Sequence, residues 1–142
     1  MNDRVVVTVL GVVPAYRPGL LARQQTNTNH LAYSEWVHRA KLDARMALSK
    51  ATGATKPLPS SVSLEACFYG AQRDARRDDL LRSALDAVRG VIVDDESQVR
   101  CVSMFMHPRM YPSVQKEDAS LIQRERTVIT VINLDPLQAA CK

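Results

Sequence analysis

Residues 73–100 read RDARRDDLLRSALDAVRGVIVDDESQVR, and this stretch decides how the rest of the chain is organised. An amphipathic helix over about Leu80–Arg89 follows Asp78-Asp79 and stops at Gly90, where a helix C-terminal glycine belongs. The apolar run Val91-Ile92-Val93 then delivers Asp94-Asp95-Glu96. Two acidic clusters are therefore joined by one helix and one reversal. A helix of about ten residues advances roughly 15 Å. Five extended residues, Val91 to Asp95, can travel about 16 Å back. If the chain reverses at Gly90, Asp95 can lie beside Asp78.

Upstream of this unit, Ser61–Tyr69 alternates as a strand, with Val62, Leu64, Ala66 and Phe68 on one face. Helical spacing runs from Leu31 to Lys50, where Leu31, Trp36, Ala40, Ala44, Ala47 and Leu48 are expected to share a face. Trp36 and Tyr33 read as core packing. Arg4–Leu10 reads as a first strand, and the long loop Val13–Asn29 carries Arg17 and Arg23 and no acid. Loops of that length in small domains are more often functional than idle. Downstream, Gln98–His107 reads as a strand, Pro108–Ala119 as a loop and Glu125–Leu134 as a last strand. The order β-α-β-α-β-β predicts a single α/β domain over residues 1–142, with a mixed sheet and two main helices.

Composition agrees with a globular chain: 142 residues, 46% hydrophobic and 24% charged, with a net charge of +4. Charge is unevenly placed. Residues 1–60 hold eight Lys/Arg against three acids, and the remainder holds eleven against twelve. A basic half beside an acid-bearing half suits a protein that attracts a polyanion and holds a metal, although an uneven solvated surface gives the same count. The three cysteines, Cys67, Cys101 and Cys141, have no CxxC spacing. They read as free thiols in a reducing cytoplasm, the first two buried in apolar runs. No stretch is long enough to span a membrane. No histidine pair has metal-ligand spacing, no serine or cysteine has a partnered base, and no glycine-rich loop points to a nucleotide cofactor.

The chemistry that the two acidic clusters suit is phosphodiester hydrolysis. Carboxylate-held Mg²⁺ polarises the phosphate and activates a water. Mg²⁺ takes hard oxygen ligands and keeps several waters, so two or three converging carboxylates suffice. The candidate metal ligands are Asp78 and Asp95, with Asp74, Asp79 and Asp94 beside them. Arg73, Arg76 and Arg77 are placed to hold a DNA backbone, as are Arg17, Arg23 and Lys116 in the loops. The same residues also fit a purely structural reading. Asp78 or Asp79 can cap a helix, Asp78, Arg82, Asp86 and Arg89 can form a surface ion-pair ladder, and Asp94-Asp95 can simply turn the chain.

Residues 76–99, RRDDLLRSALDAVRGVIVDDESQV, resemble the core of the RusA family of Holliday-junction resolvases. That core is an Asp-x-Asp-Asn opening a helix with a Lys one turn in. An Asp-Ala-Leu ending follows, then Gly and an apolar run into Asp-Asp-x-Gln-Val. The resemblance implies a RusA-like fold and a homodimer that binds four-way DNA junctions and makes paired nicks with Mg²⁺, or Mn²⁺ in its place. It puts the second motif aspartate on Asp78 and the catalytic member of the Asp-Asp pair on Asp95. The family's Asn falls on Asp79 and its lysine on Arg82, where a guanidinium stabilises charge but transfers no proton. One extra residue, within Glu96-Ser97, precedes Gln98. The family's first aspartate falls on Arg76, which cannot bind a metal. Asp74 or Asp79 then fills the gap, or the metal site is depleted and the protein binds branched DNA without cutting it.

Overall fold

The computed structural model describes residues 4–11, 13, 27–70, 77–107 and 125–134, with 27–30 described by their backbone alone. Four strands and two long helices follow in the order β1 (Arg4–Leu10), α1 (Asn27–Thr52), β2 (Val62–Tyr69), α2 (Arg77–Val88), β3 (Val99–His107) and β4 (Arg126–Asn133). The strands form one four-stranded sheet in the order β1-β4-β2-β3. β2 and β3 are parallel, whereas β4 runs antiparallel to both β1 and β2. The expected α/β domain with a mixed sheet is what the described chain forms.

Period-2 alternation sets the two faces of the sheet. Val5, Val7 and Val9 of β1, Val62, Leu64, Ala66 and Phe68 of β2, and Ile129 and Val131 of β4 are all buried, and α1 packs on β1. The intervening side chains face away from the helices. Cys101 lies on that outer face of the edge strand, opposite Ser63, and is exposed. The expectation that Cys67 and Cys101 are buried is therefore corrected: both lie on the face away from the helices, where Cys67, in an inner strand, is half-buried and Cys101, in the edge strand, is exposed.

α1 begins at Asn27, four residues before the apolar pattern signals it, and buries Tyr33, Trp36, Ala40, Ala44 and Leu48. Leu31 was expected on this face but is 61% exposed. At about 100° per residue, it sits some 140° around the helix from Trp36. Tyr33 and Trp36 stack, with ring centroids 6.4 Å apart. α2 lies against α1, burying Leu80, Ser83, Ala84, Ala87 and Val88.

Candidate functional site

The site is the β2-α2-β3 crossover, and its frame is the end of α2. Gly90 takes a φ of +81°, the left-handed conformation glycine adopts at least cost. From there the chain does not run out as an extended return. Val91, Ile92 and Val93 donate their N–H groups to the Val88 carbonyl at 3.1, 2.9 and 3.3 Å, and Gly90 N–H donates to the Val93 carbonyl at 2.6 Å. These three residues are buried, so the apolar run is a plug under the helix end. The reversal at Gly90 is present, but the extended path expected for Val91–Asp95 is not.

What meets α2 is the side chain of Glu96. Residues Glu96–Gln98 form a short 3₁₀ turn before β3. The Glu96 carboxylate accepts hydrogen bonds from Arg82 and, at 2.6 Å, from Arg89. Arg89 also pairs with Asp86 at 3.0 Å. Of the ladder read from the spacing, the Asp86–Arg89 rung forms, while Arg82 turns to Glu96. Arg82 lies four residues after Asp78, on the same side of the helix. Glu96 therefore joins the second acidic segment to α2 one turn from the first.

Asp95 is exposed, and its carboxylate accepts a hydrogen bond from the Ser97 hydroxyl at 2.9 Å. Asp94 is exposed as well. Asp78 and Asp79 occupy the first turn of α2, where their charge complements the helix dipole. Arg77 is exposed at the start of the same helix. Asp74, Arg73, Arg76, Arg17, Arg23 and Lys116 lie outside the described residues.

Two contacts fix α2 against α1. The Tyr33 hydroxyl donates to Asp86 at 2.6 Å, and the Lys41 ammonium donates to the Arg89 carbonyl. Burial, and then the Arg89 charge, push the Lys41 pKa below its ordinary value. A cation set on the last carbonyls of a helix also suits the dipole.

Among the described residues, no three His, Cys, Asp or Glu side chains converge as a metal-binding group. A sparse Mg²⁺ site needs only one or two carboxylates beside waters and substrate phosphate, and the exposed Asp78, Asp94 and Asp95 are oxygen donors of that type.

Sequence reasoning missed Glu96 and Gln98. One signal pointed to them. If the second acid of the Asp-Asp-x-Gln-Val pattern is allowed to be Glu, Asp95-Glu96-Ser97-Gln98-Val99 matches with no extra residue. Glu96 is the acid that reaches the helix.

No family model matches the chain, and no curated protein matches it. Among the described residues, no helix is long and apolar enough to cross a membrane.

Proposed function

We propose that the chain is a Mg²⁺-dependent, structure-specific DNA endonuclease of the RusA kind, acting on four-way junctions. The observation that carries this reading is the contact of Glu96 with Arg82, which links the two acidic segments of the crossover at one place on α2. Asp78 and Asp95 are the leading metal ligands. Glu96 joins them as the acid facing the helix, with Asp79, Asp94 and Asp74 as further donors. When bound, Mg²⁺ supplies Lewis-acid polarisation of the phosphate and a water of lowered pKa.

The chain's own residues do the rest. Arg82, paired with Glu96, is the cation proposed to meet the phosphate, and its guanidinium stays protonated, so it stabilises charge and moves no proton. Arg77, and the Arg73, Arg76, Arg17, Arg23 and Lys116 side chains expected to join it, bind the backbone through charge and carry no sequence information. Two symmetric nicks require two sites, and a homodimer provides them.

A second reading has its own support. Glu96 already holds two arginines, and Arg76 stands where the family pattern has an acid. A site neutralised in this way would bind branched DNA without cutting it. The purified protein with a synthetic four-way junction separates the two readings. Paired nicks in Mg²⁺ that vanish in Asp95→Asn or Glu96→Gln support the nuclease. Tight junction binding with no cleavage in Mg²⁺ or Mn²⁺ supports the binding module.

A further inference from the structure

Gln98 has every hydrogen-bonding position of its amide in use. Its Oε1 accepts the backbone N–H groups of Asp94 and Asp95 at 2.8 and 3.0 Å. Its Nε2 donates to the carbonyls of Leu58 and Ser60 at 2.7 and 2.8 Å. A primary amide offers two acceptor and two donor positions, and all four are matched here. No other residue type combines two acceptor and two donor positions at this side-chain length. Glutamate offers acceptors alone, leucine neither, and asparagine is one methylene shorter.

The segment that Gln98 grips is itself fixed. Leu58 N–H donates to the Ile92 carbonyl at 2.7 Å, and Leu58 forms a parallel bridge with Val93. The Ser60 hydroxyl donates to Asn133 at 2.6 Å, at the end of β4. The acidic turn is thus tied through one side chain to the strand bearing the sheet's centre. Both residues are otherwise exposed on the turn, and among the described residues Gln98 is the acceptor of their backbone N–H groups.

We propose that Gln98 is a positioning residue of the site: its amide fixes the backbone of Asp94 and Asp95, and so aims the carboxylates of Asp95 and Glu96. This rests on the metal-dependent nuclease reading. Gln98 itself touches neither metal nor DNA. Partners of this outer kind change metal affinity or activity by about 10–100-fold when removed.

The test compares the full-length wild type with Gln98→Leu and Gln98→Glu. Three quantities are measured: the Mg²⁺ concentration giving half-maximal nicking of a synthetic four-way junction, junction affinity without metal, and the thermal midpoint. Gln98→Leu is expected to raise the half-saturating Mg²⁺ about tenfold or more, with cleavage recovering at high Mg²⁺. Metal-free junction affinity should stay unchanged. Gln98→Glu keeps the bonds to Asp94 and Asp95 but opposes the Leu58 and Ser60 carbonyls, so its shift should be smaller. An unchanged Mg²⁺ requirement in a folded Gln98→Leu protein overturns the proposal. So does a loss of cleavage that high Mg²⁺ does not restore. If Gln98→Leu does not fold, the same criteria applied to Gln98→Asn, whose amide is one methylene too short to span the two segments, decide. A wild type that binds junctions but is inert in Mg²⁺ and Mn²⁺ removes the nuclease reading, and the role of Gln98 falls with it.

Discussion

The carboxylate of Glu96 rests on the guanidinium of Arg82, fourteen residues earlier in the chain and on the far side of the Gly90 reversal. Both side chains are partly exposed, at 33% and 43%. Ion pairs this accessible contribute little to stability, about 1 kcal/mol or less. Glu96→Gln should therefore unfold within about 1 kcal/mol of the wild type in urea, with the difference shrinking in high salt. On the nuclease reading, the same variant should lose cleavage about tenfold or more. A large stability loss with cleavage intact would make Glu96 a structural clamp only.

Tyr33 holds the helix that carries the site. Its hydroxyl meets Asp86 at 2.6 Å, across 53 residues of sequence and between the two helices. Tyr33→Phe removes the hydroxyl that makes that bond and leaves the ring stacked on Trp36. Chemical denaturation should show a loss of about 1.5–3 kcal/mol, the range for a hydrogen bond to a charged acceptor. An unchanged midpoint would mean that packing alone docks α2.

Two glycines with nearly the same backbone conformation should respond differently to alanine. Gly90 has a φ of +81°, and an added Cβ meets nothing within 4 Å. Gly90→Ala should cost about 1–2 kcal/mol, the conformational term alone. Gly70 has a φ of +79°, and its Cβ would come within 2.7 Å of Glu125 Cγ. Because that neighbour is a side-chain atom that can shift, Gly70→Ala should cost somewhat more than Gly90→Ala. Equal thermal shifts for the two would contradict this.

Asp43 gives a signed pH prediction. Burial raises its pKa, and Arg39, one turn earlier, only partly offsets this. A carboxyl whose folded pKa lies above its unfolded value binds its proton more tightly in the fold. The ionised form therefore costs stability above the folded pKa, and that cost disappears as the pH falls below the unfolded pKa. Asp43→Asn should be slightly more stable than the wild type at neutral pH. The advantage should vanish in the acid range where carboxylates protonate. A difference that grows on acidification would reverse the sign.

Much of the fold was legible because strands and helices write their period into the sequence. The buried face of β2 was read residue by residue, since Val62, Leu64, Ala66 and Phe68 alternate cleanly. The start of α1 was not legible: Asn27-Thr28-Asn29 carries no apolar period, so nothing marked the extra turn. The site was half legible. The acids, the connecting helix and the glycine reversal all stand in the sequence. Which acid of Asp94-Asp95-Glu96 faces the helix is set by the hydrogen bonds of Val91–Val93 to Val88 and by the 3₁₀ turn, neither of which has a period to read. The role of Gln98 depends on contacts with Leu58 and Ser60, about forty residues away, and local pattern cannot supply those.

Metal-dependent cutting of branched DNA by the acidic crossover can be measured in one assay. A labelled synthetic four-way junction is incubated with the full chain in Mg²⁺, beside Asp95→Asn and Glu96→Gln. The wild type is expected to make paired, symmetric nicks, and none without divalent metal, while both variants lose cleavage and retain junction binding. A wild type that binds the junction and leaves it intact in both Mg²⁺ and Mn²⁺ would contradict that expectation.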